Sequence, residues 1–501
     1  MVKANEDILS RHLSAEVRDA LGGWREGTGP AYQRLAAALT AAVQRQELLP
    51  GTKLPPERVL AKQLGVARTT VSAAYGLLER KGLVQRRQGR GTHVAGADGA
   101  GAAMRAAELT TSLQRNVLFR RLGECPADTI DLLGSFASPS LAIRESLAAA
   151  AGAVNFHELV DRGGYLPLGY PPLRRTIAAR LTAGGLATAE DEILVTGGAQ
   201  QALSLLASCY VTPGAVVVAE DPTFPGAIDA FRAAGGRILT VPVRATGADP
   251  GLLAATLSQA LARLAYLMPT FHNPTGSVMP DADRREIARL SRASQIPVIE
   301  DNALAELALG CEPPLPIAAY AREATIISVG SLSKLFWAGL RVGWIRAPRP
   351  VIVQLGRVKA VADLGTSLVS QAIAVHLLAD ADRILGLRRR ELADRLSLLH
   401  DLLERGIPDW RWRQPQGGLT AWVRLPEGSS SEFAQVARRH GVLVVPGTVM
   451  SSTGRFDEYL RLPFDHQPEV LEQGIDRLAR AWREYHGALG ARGSGALDVI
   501  V

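Results

Sequence analysis

Apolar residues recur at helical spacing early in the chain and in short alternating runs later. Between residues 32 and 46, Leu35, Leu39 and Val43 return every fourth position, which predicts a helix with one apolar stripe; Leu49-Pro50-Gly51 ends it. A second, short helix is expected from Pro56, with Glu57 in its first turn, Val59, Leu60 and Leu64 facing inward, and Gly65 as its stop. The run RTTVSAAYGLLERKG predicts a third helix, buried through Val71, Ala74, Leu77 and Leu78 and ended by Gly82. LVQRRQGRGTHV then reads as two short strands around the turn Gln88-Gly89-Arg90-Gly91. In the opening segment, Leu9, Leu13 and Val17 also repeat at helical spacing, so it is expected to pack against one of the domains.

From Asp131 onward apolar runs alternate with helical patterns. Ile193–Thr196, Ala215–Ala219, Arg237–Val241, Leu264–Met268, Val298–Ile299 and Thr325–Val329 are strand candidates, and Gln200–Tyr210 and Pro225–Ala234 are helices between them. That order predicts an α/β domain with a mostly parallel sheet, whose ligands bind at the carboxyl ends of the strands. The small, flexible run AGADGAGAAMRAA, residues 95–107, marks a boundary. The expected division is an extension over 1–29, a first domain over 30–95, a linker over 96–128 and a large domain over 129–490. A smaller lobe is expected over about 385–490.

Composition adds limits. The chain has 501 residues, 47% hydrophobic and 21% charged, which excludes a disordered chain and allows two to four domains. Cys125, Cys209 and Cys311 lie too far apart for a disulfide framework or a CxxC metal site, so no metal is expected. The first residues hold no apolar signal segment, and a cytoplasmic setting is expected. The uncharged run Val195–Ala219 contains Gly197-Gly198, Gln200-Gln201 and Pro213-Gly214, which excludes a membrane span.

Charge changes the picture more. The formal net charge is +7, yet residues 30–95 hold eleven Lys/Arg against three Asp/Glu, so the rest of the chain is close to neutral. A basic segment beside a neutral body points to a polyanion. Three helices followed by a basic hairpin form a winged helix-turn-helix, whose recognition helix enters the major groove of double-stranded DNA. Arg58 and Arg68 would then meet phosphates or bases, and the short side chains of Thr69 and Thr70 allow close approach. Arg86, Arg87 and Arg90 would track the backbone or minor groove. The alternative is a winged helix that binds protein, with Thr69 as a helix cap.

Four signals of small-molecule chemistry fall at strand ends. VTGGAQQAL places the backbone of Gly198, Ala199 and Gln200 at a helix start, suited to an anion. PTFHNPTG sets Asn273 in a rigid turn, and VIEDN leaves Asp301 just beyond a strand, where it can cap, bind metal or pair with a cationic heterocycle. The run Gly330-Ser331-Leu332-Ser333-Lys334, with Arg341 seven residues on, combines phosphate-binding groups with a lysine able to attack a carbonyl.

The first domain resembles the GntR family of bacterial regulators, through Pro55-Pro56-Glu57-Arg58, the run Arg68-Thr69-Thr70-Val71 with Tyr75 and Leu78, and Gly89-Arg90-Gly91-Thr92; Ala67 replaces the family's usual Ser. Over residues 30–480 the chain is similar to the MocR subfamily, which fuses a winged helix to a fold-type I aminotransferase-like domain. The ordered set GYPPLR, TGGAQQAL, EDPTFPG, FHNPTG, ED, SLSK, GLRVGW, QGGLTAW, VVPG and RLPF carries that likeness. The resemblance implies a multidomain chain: a winged helix-turn-helix, a large α/β domain binding pyridoxal 5'-phosphate, and a small C-terminal α+β subdomain. It implies that Lys334 bonds covalently to the cofactor, that Asp301 pairs with the ring nitrogen, that Asn273 bonds the ring hydroxyl oxygen and that Phe224 stacks on the ring. It gives the phosphate to Ala199, Gln200, Ser331, Ser333 and Arg341, with Tyr165 reaching a neighbouring subunit of a homodimer. Arg461 would clamp a carboxylate of the substrate or effector.

Departures qualify the chemistry. Relatives place a Tyr two or three residues after the Asp, where this chain has Ala303 and Leu304, so one cofactor hydrogen bond is missing. SFASPSLAIRES replaces a Pro- and Trp-containing segment, and Trp337 precedes Ala338-Gly339-Leu340 where PAGLR is usual. The expected function is a DNA-binding regulator of the MocR/GntR type that senses an amino compound or pyridoxal phosphate itself, with little or no full transaminase turnover. The alternative is a working aminotransferase with a DNA-binding module.

Overall fold

The computed structural model describes residues 24, 29–44, 48, 52, 54–80, 83–87, 91–94, 128–134, 141–161, 163–321 and 323–494. The chain divides into two compact units, Met1–Arg115 and Asn116–Val501. No helix among the described residues is long and apolar enough to cross a membrane.

In the first unit, α1 (Ala31–Gln44), α2 (Glu57–Leu64) and α3 (Arg68–Arg80) close around Leu35, Leu39, Leu60, Leu64, Val71, Ala74 and Leu78, all buried. Val59 differs from expectation: it is 40% exposed, because Leu60, Ala61 and Leu64 already supply the inner face of this eight-residue helix. Gly65 ends α2 in the left-handed conformation, at φ 66°. The fully buried Tyr75 donates its hydroxyl to the carbonyl of Pro55 at 2.9 Å, pinning α3 to the turn before α2. Strands β1 (Val84–Arg87) and β2 (Gly91–Val94) pair antiparallel, and β2 also bonds residues 52 and 54. Trp24 packs against this core, whereas residues 1–23, the turn with Arg90 and the 96–127 segment lie outside the described residues.

The second unit is built on an eight-stranded sheet. Its order is β3 (Ile193–Thr196), β10 (Gly343–Arg346), β9 (Ile326–Ser331), β8 (Val298–Asp301), β7 (Leu264–Leu267), β4 (Val216–Asp221), β5 (Arg237–Arg244), β6 (Gly247–Ala248). The run from β9 to β5 is parallel, and β10 is antiparallel to both β9 and β3. Strand β10 was visible in the sequence only as part of a motif, because it has four residues and starts with glycine. Side chains alternate between two cores. Val217, Tyr266, Ile299, Ile327 and Val329 enter the larger one with α5 (Ala199–Tyr210) and α6 (Pro225–Ala233). Val218, Ala265, Leu267, Val298 and Ile326 pack with α7 (Pro250–Ala260) and α8 (Asp281–Ser294). Helix α4 (Pro171–Ala183) precedes β3, and α9 (Arg349–Asp363) packs on α5.

The long helix α10 (Ala381–Gly406) leads into the smaller lobe. There β11 (Arg411–Trp412), β12 (Thr420–Arg424), β14 (Tyr459–Pro463) and β13 (Val445–Pro446) form an antiparallel sheet in that order, covered by α11 (Ser430–Arg439) and α12 (Pro468–Ser494).

Candidate functional site

Asp301 and Ser331 stand at the carboxyl ends of the neighbouring strands β8 and β9, and sheet pairing brings the glycine turn after β3 to the same edge. Gly343, at the start of β10, pairs with both Ser331 at the end of β9 and Thr196 at the end of β3. A Cβ at Gly343 would fall 2.7 Å from the carbonyl oxygen of Gly330 and 2.8 Å from the Cα of Gly198, so only glycine fits. Gly198 turns the chain into α5 at φ 107° and offers no side chain to cap it, leaving the first-turn N–H groups at Ala199 and Gln200 pointing out. The Arg341 guanidinium lies over Gly198; a Cβ there would meet it at 3.2 Å. Ser331 Oγ accepts from the Ser333 N–H at 3.2 Å, and Ser333 Oγ is buried with no hydrogen-bond partner. Backbone donors, a hydroxyl and a guanidinium therefore share one corner, a composition suited to a phosphate.

That corner is braced from behind. Gln201 Oε1 accepts from the Gly197 N–H at 2.6 Å, while Gln201 Nε2 donates to Asp363 at 2.6 Å. Lys359, fully buried, donates to the same Asp363 oxygen at 2.5 Å. Burial alone would raise the Asp363 carboxyl, but the hydrogen bonds from Lys359 and Gln201 outweigh it and hold it below its ordinary range. The end of α9 thus fixes the glycine turn.

Asp301 is the last residue of β8 and is fully buried. It accepts from the Tyr266 hydroxyl at 2.8 Å and from the Ala303 N–H at 3.0 Å. Burial pushes its carboxyl up, against both hydrogen bonds. The side-chain oxygen of Asn273 is buried and unpartnered. Phe224 stands half-buried before α6, and Gln200 Nε2 donates to the Gly226 carbonyl at 2.8 Å, joining the starts of α5 and α6. Beneath them Glu220 is fully buried and accepts from the Met268 N–H at 2.6 Å, with His272 Nε2 at 3.5 Å. Burial drives the Glu220 carboxyl up to about 8 and the His272 imidazole down to about 3, so both are neutral at pH 7.

Lys334 lies three residues beyond β9, and its charge reaches Asp465. Burial raises the fully buried Asp465 carboxyl against His466, Arg388 and Lys334. Arg388 of α10 is 3.8 Å from Asp465. Arg461, 2% exposed on β14, donates to the carbonyl of Leu133 and lies between Trp422 and Val445 on neighbouring strands. Tyr165 is 74% exposed on the surface, apart from the buried groups.

In the first unit, Arg58 and Thr69 are exposed and Thr70 is half-buried. Arg68 is exposed but bonded to Glu57 at 3.3 Å. Arg86 and Arg87 lie on β1, and Arg90 is outside the described residues.

Sequence reasoning missed Tyr266, Gln201, Lys359, Asp363, Glu220 and Asp465. Three carried a usable signal: Lys359 and Asp363 are four apart on a helix, and Asp465 directly follows RLPF. Tyr266 gave only a hydroxyl inside an apolar strand.

Residues 136–478 match the aminotransferase class I and II family, and residues 31–94 match the gntR family of bacterial regulatory proteins. The uncharacterized HTH-type transcriptional regulator YisV of Bacillus subtilis (strain 168) is 30% identical, covering 92% of this chain and 97% of its own. The 2-aminoadipate transaminase of Thermus thermophilus is 34% identical over 70% of this chain and 89% of its own. The crystal structure of LysN, the alpha-aminoadipate aminotransferase of that organism complexed with N-(5'-phosphopyridoxyl)-L-leucine, superposes with a TM-score of 0.68. It is 30% identical over 75% of this chain and 98% of that one.

Proposed function

Because this chain belongs to the MocR type of GntR-family regulators, with a winged helix joined to an aminotransferase class I and II domain, we propose that it is a DNA-binding transcriptional regulator that binds pyridoxal 5'-phosphate and senses an amino compound, or the cofactor itself. The observation that carries this reading is Asp301. A carboxyl this buried, raised by burial yet held by Tyr266 and Ala303, is suited to a cationic ring partner. The buried, unpartnered polar atoms of Ser333, Asn273 and Gln200 fit the remaining polar groups of the same molecule.

In this reading the N-terminus of α5, Ser331, Ser333 and Arg341 hold the phosphate. Asn273 holds the ring hydroxyl oxygen, Phe224 covers the ring, and Lys334 anchors the aldehyde covalently. When bound, the cofactor supplies an amine-reactive aldehyde and an electron sink. Asp301 keeps the ring nitrogen protonated, and Tyr266 holds Asp301 in place. Arg461 would orient an effector carboxylate, and Asp465, within reach of the Lys334 charge, would attract its ammonium. Exposed Arg58, Arg68, Thr69 and the basic hairpin bind operator DNA. Tyr165 completes the site of a second subunit in a homodimer. The domain division at 1–29, 30–95, 96–128 and 129–490 belongs to the same proposal.

A working aminotransferase is the second reading, favoured by the retention of Lys334 and a buried Arg461. Ala303 and Leu304 count against it, since neither bonds the ring. One titration separates the two. An amino acid added to the holoprotein should shift the cofactor absorbance and operator affinity together, with little keto acid formed. A spectral shift with unchanged operator affinity and abundant keto acid would reject the sensor.

A further inference from the structure

A cavity of about 470 Å³ lies between α4, the segment from Asn302 to Pro316, and α10, and shares no residue with the cofactor set named above. This size suits a small molecule. Its walls are mostly apolar: Leu181, Leu186, Leu315 and Trp344 line it. Arg180, Thr270, Glu306, Ser328 and Asp382 also line it, and two further polar groups, Asn302 and Arg389, keep unused hydrogen-bonding capacity among the described residues. Asn302 lines the cavity, and its side-chain oxygen is buried without a hydrogen-bond partner. Leaving such a group unpaired is unfavourable unless something occupies it. Arg389 lines the same cavity, and among the described residues its guanidinium donates through Nε alone, to the Glu306 carbonyl at 3.0 Å. Its neighbour in the lining, Arg180, is already balanced by Glu306 at 2.8 Å and Asp382 at 3.0 Å. No carboxylate among the described residues pairs with Arg389.

We infer that this cavity is a second ligand site, for a small apolar carboxylate that also carries an N–H or O–H donor. The carboxylate pairs with the Arg389 guanidinium, the body packs on Leu181, Leu186 and Trp344, and the donor reaches Asn302 Oδ1. No amine is required, so this ligand differs in kind from one that reacts with a cofactor aldehyde. The site is placed to affect the other one. Asn302 directly follows Asp301 and bonds the Val329 carbonyl at 2.8 Å, so a ligand on Asn302 bears on the end of β8. Arg389 sits on α10 beside Arg388, which faces Asp465.

Indole-3-acetate has the required carboxylate, N–H and apolar body, and lacks an amine. Calorimetric titration of the full chain should give a saturable heat. Arg389→Gln and the cavity-filling Ala305→Phe should each weaken binding about tenfold or more, as expected for a lost charged hydrogen bond or a blocked volume. Arg461→Ala should leave it unchanged. Arg389→Gln keeps an N–H near the position of Arg389 Nε, which donates to the Glu306 carbonyl, and a matching thermal midpoint separates loss of the site from loss of the fold. Affinity unchanged in both cavity variants, affinity lost in Arg461→Ala, or no saturable heat from the folded wild type would each overturn the proposal. None of those results bears on the cofactor reading, which is tested by absorbance with amines.

Discussion

Asp301 and Tyr266 show how a single carboxyl is tuned here. Burial raises the acid, and the Tyr266 hydroxyl and Ala303 N–H oppose that rise. Asp301→Asn removes the charge and keeps the shape. It should weaken retention of pyridoxal phosphate about tenfold or more, measured by equilibrium dialysis, because a charged hydrogen bond of about 1.5–3 kcal/mol is lost. Unchanged retention would remove Asp301 from the ring nitrogen. Glu220 and His272 give a pH test. In the folded chain Glu220 sits near 8 rather than 4.5, so it holds a proton that the unfolded chain releases as pH rises. His272 sits near 3 rather than 6.5, so its opposite contribution is complete above 6.5. Between pH 4.5 and 6.5 the two slopes oppose each other. From 6.5 to 8 only Glu220 of this pair still titrates, and its share of the stability should fall by at most about 1.4 kcal/mol per pH unit. Thermal midpoints over that window should drop for the wild type and much less for Glu220→Gln. Parallel curves would show that Glu220 is ionised in the folded state.

At the scale of elements, helix ends do most of the positioning. The last turn of α9 places Lys359 and Asp363 against Gln201, which holds the Gly197 turn. Lys359→Met should lower the thermal midpoint, and it should weaken pyridoxal phosphate retention more than pyridoxal retention, since the brace acts on the phosphate corner. Equal loss for both ligands would reduce Lys359 to a packing role. In the winged helix, Arg68 is shared with Glu57 across α2 and α3. Glu57→Gln should release Arg68 and tighten operator binding by less than about fivefold, because exposed pairs are worth under about 1 kcal/mol. Arg58→Ala and Arg68→Ala should each weaken binding and, where the contact is to phosphate, lower the salt slope by about one. The helix pattern made α1 to α3 legible in the sequence, and the strand-end motifs made Asp301, Asn273, Lys334 and Arg341 legible. Their supports were not. Tyr266, Lys359 and Asp465 act across 35, 158 and 77 positions of sequence or more, through contacts that no local period records. Val59 failed for the converse reason, since local apolarity does not say which face of a short helix the core needs.

At the scale of the whole molecule, the question is how many chains build one site. The buried set around Asp301 and Ser333 lies in one subunit, whereas Tyr165, which the family likeness assigns to the phosphate, stands 74% exposed. Nearby apolar side chains are also exposed: Phe156 at 51% and Val160 at 76%, more than a solvated surface usually offers in one short stretch. A second copy would cover them and receive Tyr165. If effector binding is coupled to operator binding as proposed, linkage requires each to change the other's affinity by one common factor. A dimer presenting two winged helices reads an operator of two related half-sites, direct or inverted. Mixing two defective proteins tests the arrangement. In Lys334→Ala the covalent anchor is gone, and in Tyr165→Phe the crossing hydroxyl is gone. If Tyr165 serves the neighbouring subunit, a mixed dimer holds one site with both groups intact and one with neither. Co-refolding the two variants should therefore restore borohydride-trapped cofactor on Lys334, at the affinity of the wild type, in the half of the sites that became whole. If Tyr165 serves its own chain, every mixed site keeps one defect, and no wild-type affinity returns at any mixing ratio.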